Sequence, residues 1–302
     1  MTKRRTPLIF LASALLTLAL YSAVSRLTLP PEPSYEGRTL SQWLWASDDH
    51  PVPAGTTPHY EGPKASAAVR HIGTNAIPYL LEWLHYEESP LRDKFQRVVA
   101  RVGQLVGWRP KSAENRQIYA QLGFDQLGPQ ARTVIPELVR LMNDPKAPGT
   151  ARAATDALAC VRTKEAFTLV LAVMTNKQHH AREAAVASIY RCEAHARQAS
   201  PALIQCLQDT NPAIVIRAAS SLARLKPEPG LVVPALAAHL NDSEICVRQW
   251  MAEMLANFGT QARPAVPALL KALQDPNPSV RRAAADALLR IAPEALPNAP
   301  PK

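Results

Sequence analysis

From residue 131 onward the apolar side chains recur every three or four residues, in pairs of short stretches separated by turns. Residues 262–291 show the unit. Val266, Leu269, Leu270 and Leu273 make one stripe at helical spacing, and Val280, Ala284, Ala287, Leu288 and Ile291 make a second. Between them stands Asp275-Pro-Asn-Pro278, which stops a helix because proline supplies no N–H and disfavours the α region in the residue before it. Neither helix can bury its apolar face alone, so the unit predicts stacking on copies of itself.

The copies are present. Pro201, Pro234 and Pro267 are 33 residues apart, Pro136 stands 65 before Pro201, and Thr168 fills the intermediate place. Leu138, Val170, Leu203, Leu236 and Leu269 follow two residues later, and Met142, Met174, Leu207, Leu240 and Leu273 six later. In the second helices Ile189, Leu222, Leu255 and Leu288 keep the same interval, as do Cys192, Leu225, Phe258 and Ile291. These positions predict the core of an all-α solenoid, a superhelix of antiparallel helix pairs.

Toward the N-terminus the register loosens. Leu40, Trp43 and Leu44 share a helical face, and the signature returns forty residues on as Leu80, Trp83 and Leu84. Residues 64–72 read as the returning helix of the first pair and 114–127 as a further helix ended by Gly128-Pro129. Residues 47–63 form a polar loop long enough to be a surface excursion. In 91–106, Leu91, Phe95, Val98, Val102 and Leu105 oppose Arg92, Lys94, Arg97 and Arg101. That basic face is a candidate contact for an acidic partner or an anionic membrane, against the plainer reading of a solvated outer face.

Lys3-Arg4-Arg5 precedes nineteen uncharged residues, 7–25. This length predicts a membrane span with the N-terminus in the cytoplasm and the repeats outside; the alternative is a cleaved signal peptide with small residues at Ala23-Val24-Ser25, leaving a secreted or periplasmic protein. The expected plan is an anchor or signal at 1–26, a proline-rich linker at 27–34, irregular N-terminal repeats at 35–130, regular repeats at 131–294 and a proline-rich tail at 295–302.

Composition agrees with many short helices: 28 prolines against 11 glycines, with 47% hydrophobic residues. The net charge of +9 is uneven, four basic groups lying in residues 1–26 and 20 basic against 14 acidic in 131–302. Without a clustered stripe this excess does not argue for nucleic acid. Cys160, Cys192, Cys206 and Cys246 form no CxxC pair and have no histidine at zinc-ligand spacing. Cys192 sits in a core register, so free thiols are expected, with a Cys192–Cys206 bridge as the exception to weigh. His179 and Glu183 are four apart but lack a third ligand.

The pattern of VPALLKALQD, a DPNP turn and VRRAAADALLRI resembles the HEAT repeat, including the HEAT-like form named after phycobilisome lyases, over residues 131–292 and more loosely over 35–90. The opening YEGRTLSQWL block with an N-terminal anchor is similar to membrane-anchored bacterial HEAT-repeat proteins. The resemblance implies a curved binding surface and a ladder pairing an aspartate at the end of each first helix with an arginine near the start of a second helix in the adjoining repeat. Asp209, Asp242 and Asp275 hold the first register, after Asp144 and Asn176; Arg182, Arg248 and Arg281 hold the second, with Val215 at its missing place. G-x-S-x-G, P-loop, dinucleotide and H-E-x-x-H signatures are absent from the sequence. The expectation is therefore a non-catalytic scaffold without cofactor or metal, tethered outside the cytoplasm, that takes a protein or peptide on the inner face of its second helices and has no small-molecule ligand. The alternative is a HEAT-like enzyme acting on a chromophore or a damaged DNA base.

Overall fold

A computed structural model describes residues 31–46, 62–84 and 113–296. The basic residues Arg92, Lys94, Arg97 and Arg101, the anchor segment 7–25 and most of the 47–63 loop lie outside the described residues. Among the described residues no helix is long and apolar enough to cross a membrane.

A two-stranded hairpin opens the fold, β1 (Ser34–Tyr35) against β2 (Arg38–Thr39), with Ser34 opposite Thr39 and Tyr35 opposite Arg38. Glu36 and Gly37 both adopt positive φ, 47° and 74°, the conformation a tight two-residue hairpin turn demands. The hairpin feeds α1 (Leu40–Ala46), whose start is unusually well satisfied. Gln42 accepts from the Thr39 N–H at 2.8 Å, and Glu32 accepts from the Ser41 N–H at 2.6 Å and its hydroxyl at 3.1 Å. Residues 32–34 are thus built into the first helix pair, where the sequence suggested only a stiff spacer.

Seven helix pairs follow one another among the described residues. They are α1 with α2 (Gly62–Ile72), α3 (Ile77–Leu84) with α4 (Ala113–Leu127), and α5 (Ile135–Met142) with α6 (Pro148–Cys160). Then come α7 (Lys164–Thr175) with α8 (Arg182–Ser188), α9 (Ser200–Cys206) with α10 (Pro212–Leu225), α11 (Pro229–Ala238) with α12 (Ile245–Ala256), and α13 (Val266–Ala272) with α14 (Pro278–Ile291). Proline stands in the first turn of α5, α9 and α13, where its missing N–H costs nothing. The sixth pair differs: α11 begins four residues earlier in the register, at Pro229, so Pro234 falls inside it.

One continuous core runs through every pair, from Leu40 to Ala292. Leu138, Val170, Leu203, Leu236 and Leu269 are fully buried, as are Ile189, Leu222, Leu255 and Leu288. Two register positions are less covered. Leu225 ends α10 just before Lys226, which turns into the left-handed region, and Leu273 has no following pair over it among the described residues.

The two layers pack differently. Successive second helices, α4, α6, α8, α10, α12 and α14, lie directly against one another, whereas neighbouring first helices touch little and are separated by 3₁₀ turns such as Ile189–Ala199 and Gly259–Ala265. Alanine permits the close approach, with Ala153, Ala154 and Ala157 in α6, Ala218 and Ala219 in α10, and Ala283, Ala284 and Ala287 in α14 all buried. In a curved stack the more tightly spaced layer lies inside, which makes the second helices the candidate inner surface.

Candidate functional site

The turn between the helices of a pair is the most repeated polar feature. At its start a side-chain oxygen accepts the backbone N–H two residues on: Asp144 from Lys146 at 2.9 Å, Asn176 from Gln178 at 3.0 Å, Asp209 from Asn211 at 2.9 Å, Asp242 from Glu244 at 3.0 Å and Asp275 from Asn277 at 2.8 Å. Asn211 and Asn277 then cap α10 and α14 by accepting from Ala213 and Ser279. The register therefore first serves the turn, which an amide serves as well as a carboxylate.

The charge serves the junction between pairs. Arg182 donates to Asp209 at 2.6 Å, with side chains only 11% and 9% exposed. Arg248 grips both oxygens of Asp275, at 2.7 and 3.1 Å. Each arginine also ties down its own turn, Arg182 through the Met174 carbonyl and Arg248 through those of Asp242 and Ser243. Among the described residues Arg281 bonds its own turn alone, at the carbonyls of Asp275 and Pro276. Where the arginine is missing the rung changes. Thr150 holds the arginine register ahead of uncharged Asn176 in the aspartate register, and beyond Val215 the carboxylate of Asp242 turns to His239, 3.2 Å away.

The titration of these carboxylates follows their partners. The Arg248 bond, aided by the Asn277 N–H, holds Asp275 below the usual carboxylate range despite its burial. Burial would raise Asp209, but the Asn211 N–H and Arg182 outweigh it; the Glu244 N–H and His239 do the same for Asp242.

The inner layer carries a different set of groups. Asp156 of α6 occupies the register filled by Ser188, Ser221, Met254 and Ala287 in later copies. It accepts from Gln121 of α4 at 3.0 Å, and burial pushes its carboxyl up to about 6 against the pull of Arg152, Arg191 and Arg217. It lines a small cavity of about 170 Å³ with Arg152, His180, Glu183 and Arg217, the last paired to Glu183. Asp125 of α4 receives Arg162 at 2.7 Å and lies 3.8 Å from Arg191. Tyr190 lies beneath two guanidinium groups, those of Arg191 at 5.4 Å and Arg224 at 4.7 Å. Farther along, Gln249, Glu253, Arg282, Asp286 and Arg290 line a groove of about 520 Å³ between α12 and α14. Trp250, 38% exposed, occupies in α12 the place that Arg217 has in α10.

Cys160, Cys192, Cys206 and Cys246 are free thiols, the first three buried. Burial pushes Cys160 and Cys192 up to about 12, far from the thiolate a nucleophile needs. The His179 ring accepts from the Ala181 N–H at 3.1 Å and faces Asn143 at 3.0 Å, so it builds the turn before α8. No group of three metal-ligating side chains occurs among the described residues.

Neither Asp156 nor the Asp125 cluster stands out as a site in the repeat pattern. A carboxylate in a register otherwise serine, methionine or alanine was the visible signal for Asp156; nothing in the spacing ties Asp125 to Arg162 and Arg191, which lie on other helix pairs.

Residues 233–299 match the family described as HEAT repeats. No curated protein matches the chain. Among solved structures, a designed armadillo repeat protein in complex with the peptide (KR)4 is 16% identical, covering 70% of this chain and 98% of its own, with a TM-score of 0.41. An engineered protein is 20% identical over 72% and 96%, TM-score 0.41, and another designed armadillo repeat protein 20% identical over 71% and 99%, TM-score 0.38.

Proposed function

We propose that this HEAT-repeat solenoid is a non-catalytic scaffold that receives a protein or peptide along its inner, second-helix layer, held outside the cytoplasm by residues 7–25. The observation that carries the reading is the makeup of that layer. Tyr190, Trp250, Arg224 and Arg290 reach its surface, and these are the residue types that anchor protein interfaces. The outer layer offers a groove of about 720 Å³ between α9 and α11, lined by Pro201, Pro229 and Leu231, but lacks aromatic anchors there.

Site-specific photocrosslinkers distinguish the layers. Placed at Glu253 and Asp286 on the inner layer, and at Arg140 and Leu231 on the outer, they are activated in native membranes. Adducts from the inner pair are expected; adducts from the outer pair alone overturn the assignment. The orientation is tested by a C-terminal reporter active only outside the cytoplasm, and activity confined to a cytoplasmic reporter reverses it.

A further inference from the structure

The inner layer's chemistry specifies its occupant further, an inference that rests on the docking surface proposed above. One register at or just past the end of the second helices reads Ala159, Arg191 in the 3₁₀ turn that continues α8, Arg224, Asn257 just after α12, and Arg290. Arg191 is half-buried beside Asp125. Arg224 and Arg290 are exposed and enter no ion pair among the described residues. Arg224 is nevertheless positioned, its guanidinium lying 4.7 Å above the Tyr190 ring, which leaves its N–H edges to solvent. From α4 through α14 every basic residue on a second helix is arginine, the side chain whose planar fork matches a carboxylate.

Packed helices lie about 10 Å apart, and an extended chain rises about 3.3 Å per residue. A strand running along the layer therefore meets a new repeat at every third residue. Arg290, two repeats beyond Arg224, falls six residues further along such a strand. We infer that the Arg191–Arg224–Arg290 row binds an extended acidic peptide segment whose carboxylates fall at multiples of three residues. A nucleic acid fits less well: Glu253 and Asp286 share the groove with Arg290 and repel a uniformly charged backbone, whereas a peptide can place uncharged residues there.

The test titrates the full-length protein into a fluorescein-labelled peptide of four Glu-Ser-Ser triplets at low salt, read by anisotropy. Controls are an isomer with its glutamates in one block and a peptide of Lys-Ser-Ser triplets. The spaced acidic peptide binds tightest, and Arg224→Gln and Arg290→Gln each weaken it about 3- to 5-fold. Arg140→Gln, on the outer layer and paired with Glu137, leaves it unchanged. Circular dichroism of each variant verifies that the fold is kept. Equal affinity for spaced and blocked peptides, indifference to both inner substitutions, or displacement by a smaller concentration of single-stranded DNA overturns the inference. Inner-layer crosslinks without peptide binding keep the docking surface while removing its acidic occupant.

Discussion

At the scale of single residues, the aspartate register combines two tasks that substitution can separate. Asp209→Asn keeps an oxygen for the Asn211 N–H but removes the charge facing Arg182, a buried partner left uncompensated. A loss of about 1–3 kcal/mol is expected, read as a lower urea midpoint. The sign with pH follows from the depressed carboxyl. Its contribution is full above the ordinary value of 3.8 and fades as pH falls through the lower folded-state value, so variant and parent converge in strong acid. Asp156 runs the other way. Its folded-state value of about 6 exceeds the ordinary 3.8, so its contribution declines as pH rises between the two and is flat above. Asp156→Asn removes that slope; relative to the parent it gains on the order of 1–2 kcal/mol between pH 4 and pH 7.5. A parallel pair of midpoint-versus-pH curves would count against the buried carboxylate.

At the scale of elements, helix starts and crossings carry the specificity. Asn277→Ala removes the cap of α14 and is expected to cost about 1 kcal/mol in thermal or urea unfolding. Gly123 marks the crossing of α4 over α3, where a Cβ would fall 2.5 Å from a methyl of the fully buried Leu80. Gly123→Ala should therefore destabilise by about 1–3 kcal/mol. Gly149→Ala in the first turn of α6, where nothing lies within 4 Å, should be neutral or slightly stabilising. The helix boundaries were legible from the stripes because a helix face needs a 3.6-residue period, and the prolines and Asp-x-Asn turns punctuate it. The hairpin is not legible in the sequence: two residues per strand are too few for an alternation, and Glu36-Gly37 alone points to a turn.

For the whole molecule, stability is a chain of nearest-neighbour junctions, and they are not alike. Arg182–Asp209 and Arg248–Asp275 brace their junctions with buried ion pairs, while the junction between them relies on Val215 and on His239 beside Asp242. Hydrogen exchange should accordingly show α10 and the start of α12 opening before α8 or α14. Uniform protection across these helices would mean that the apolar contacts alone set the junction strength.

The sequence by itself determined the all-α solenoid from residue 131 onward and the positions of its core, because a 33-residue period held at several apolar places admits no other way to bury both stripes. It also marked the aspartate and arginine registers. Tertiary structure alone decided which layer packs more closely, since that depends on how near alanine-faced helices approach across repeats. The partners of Asp156 and Asp125 were decided there too. These partners come from other helix pairs, 35 to 66 residues away, and no linear spacing specifies which side chains a stacked layer brings together.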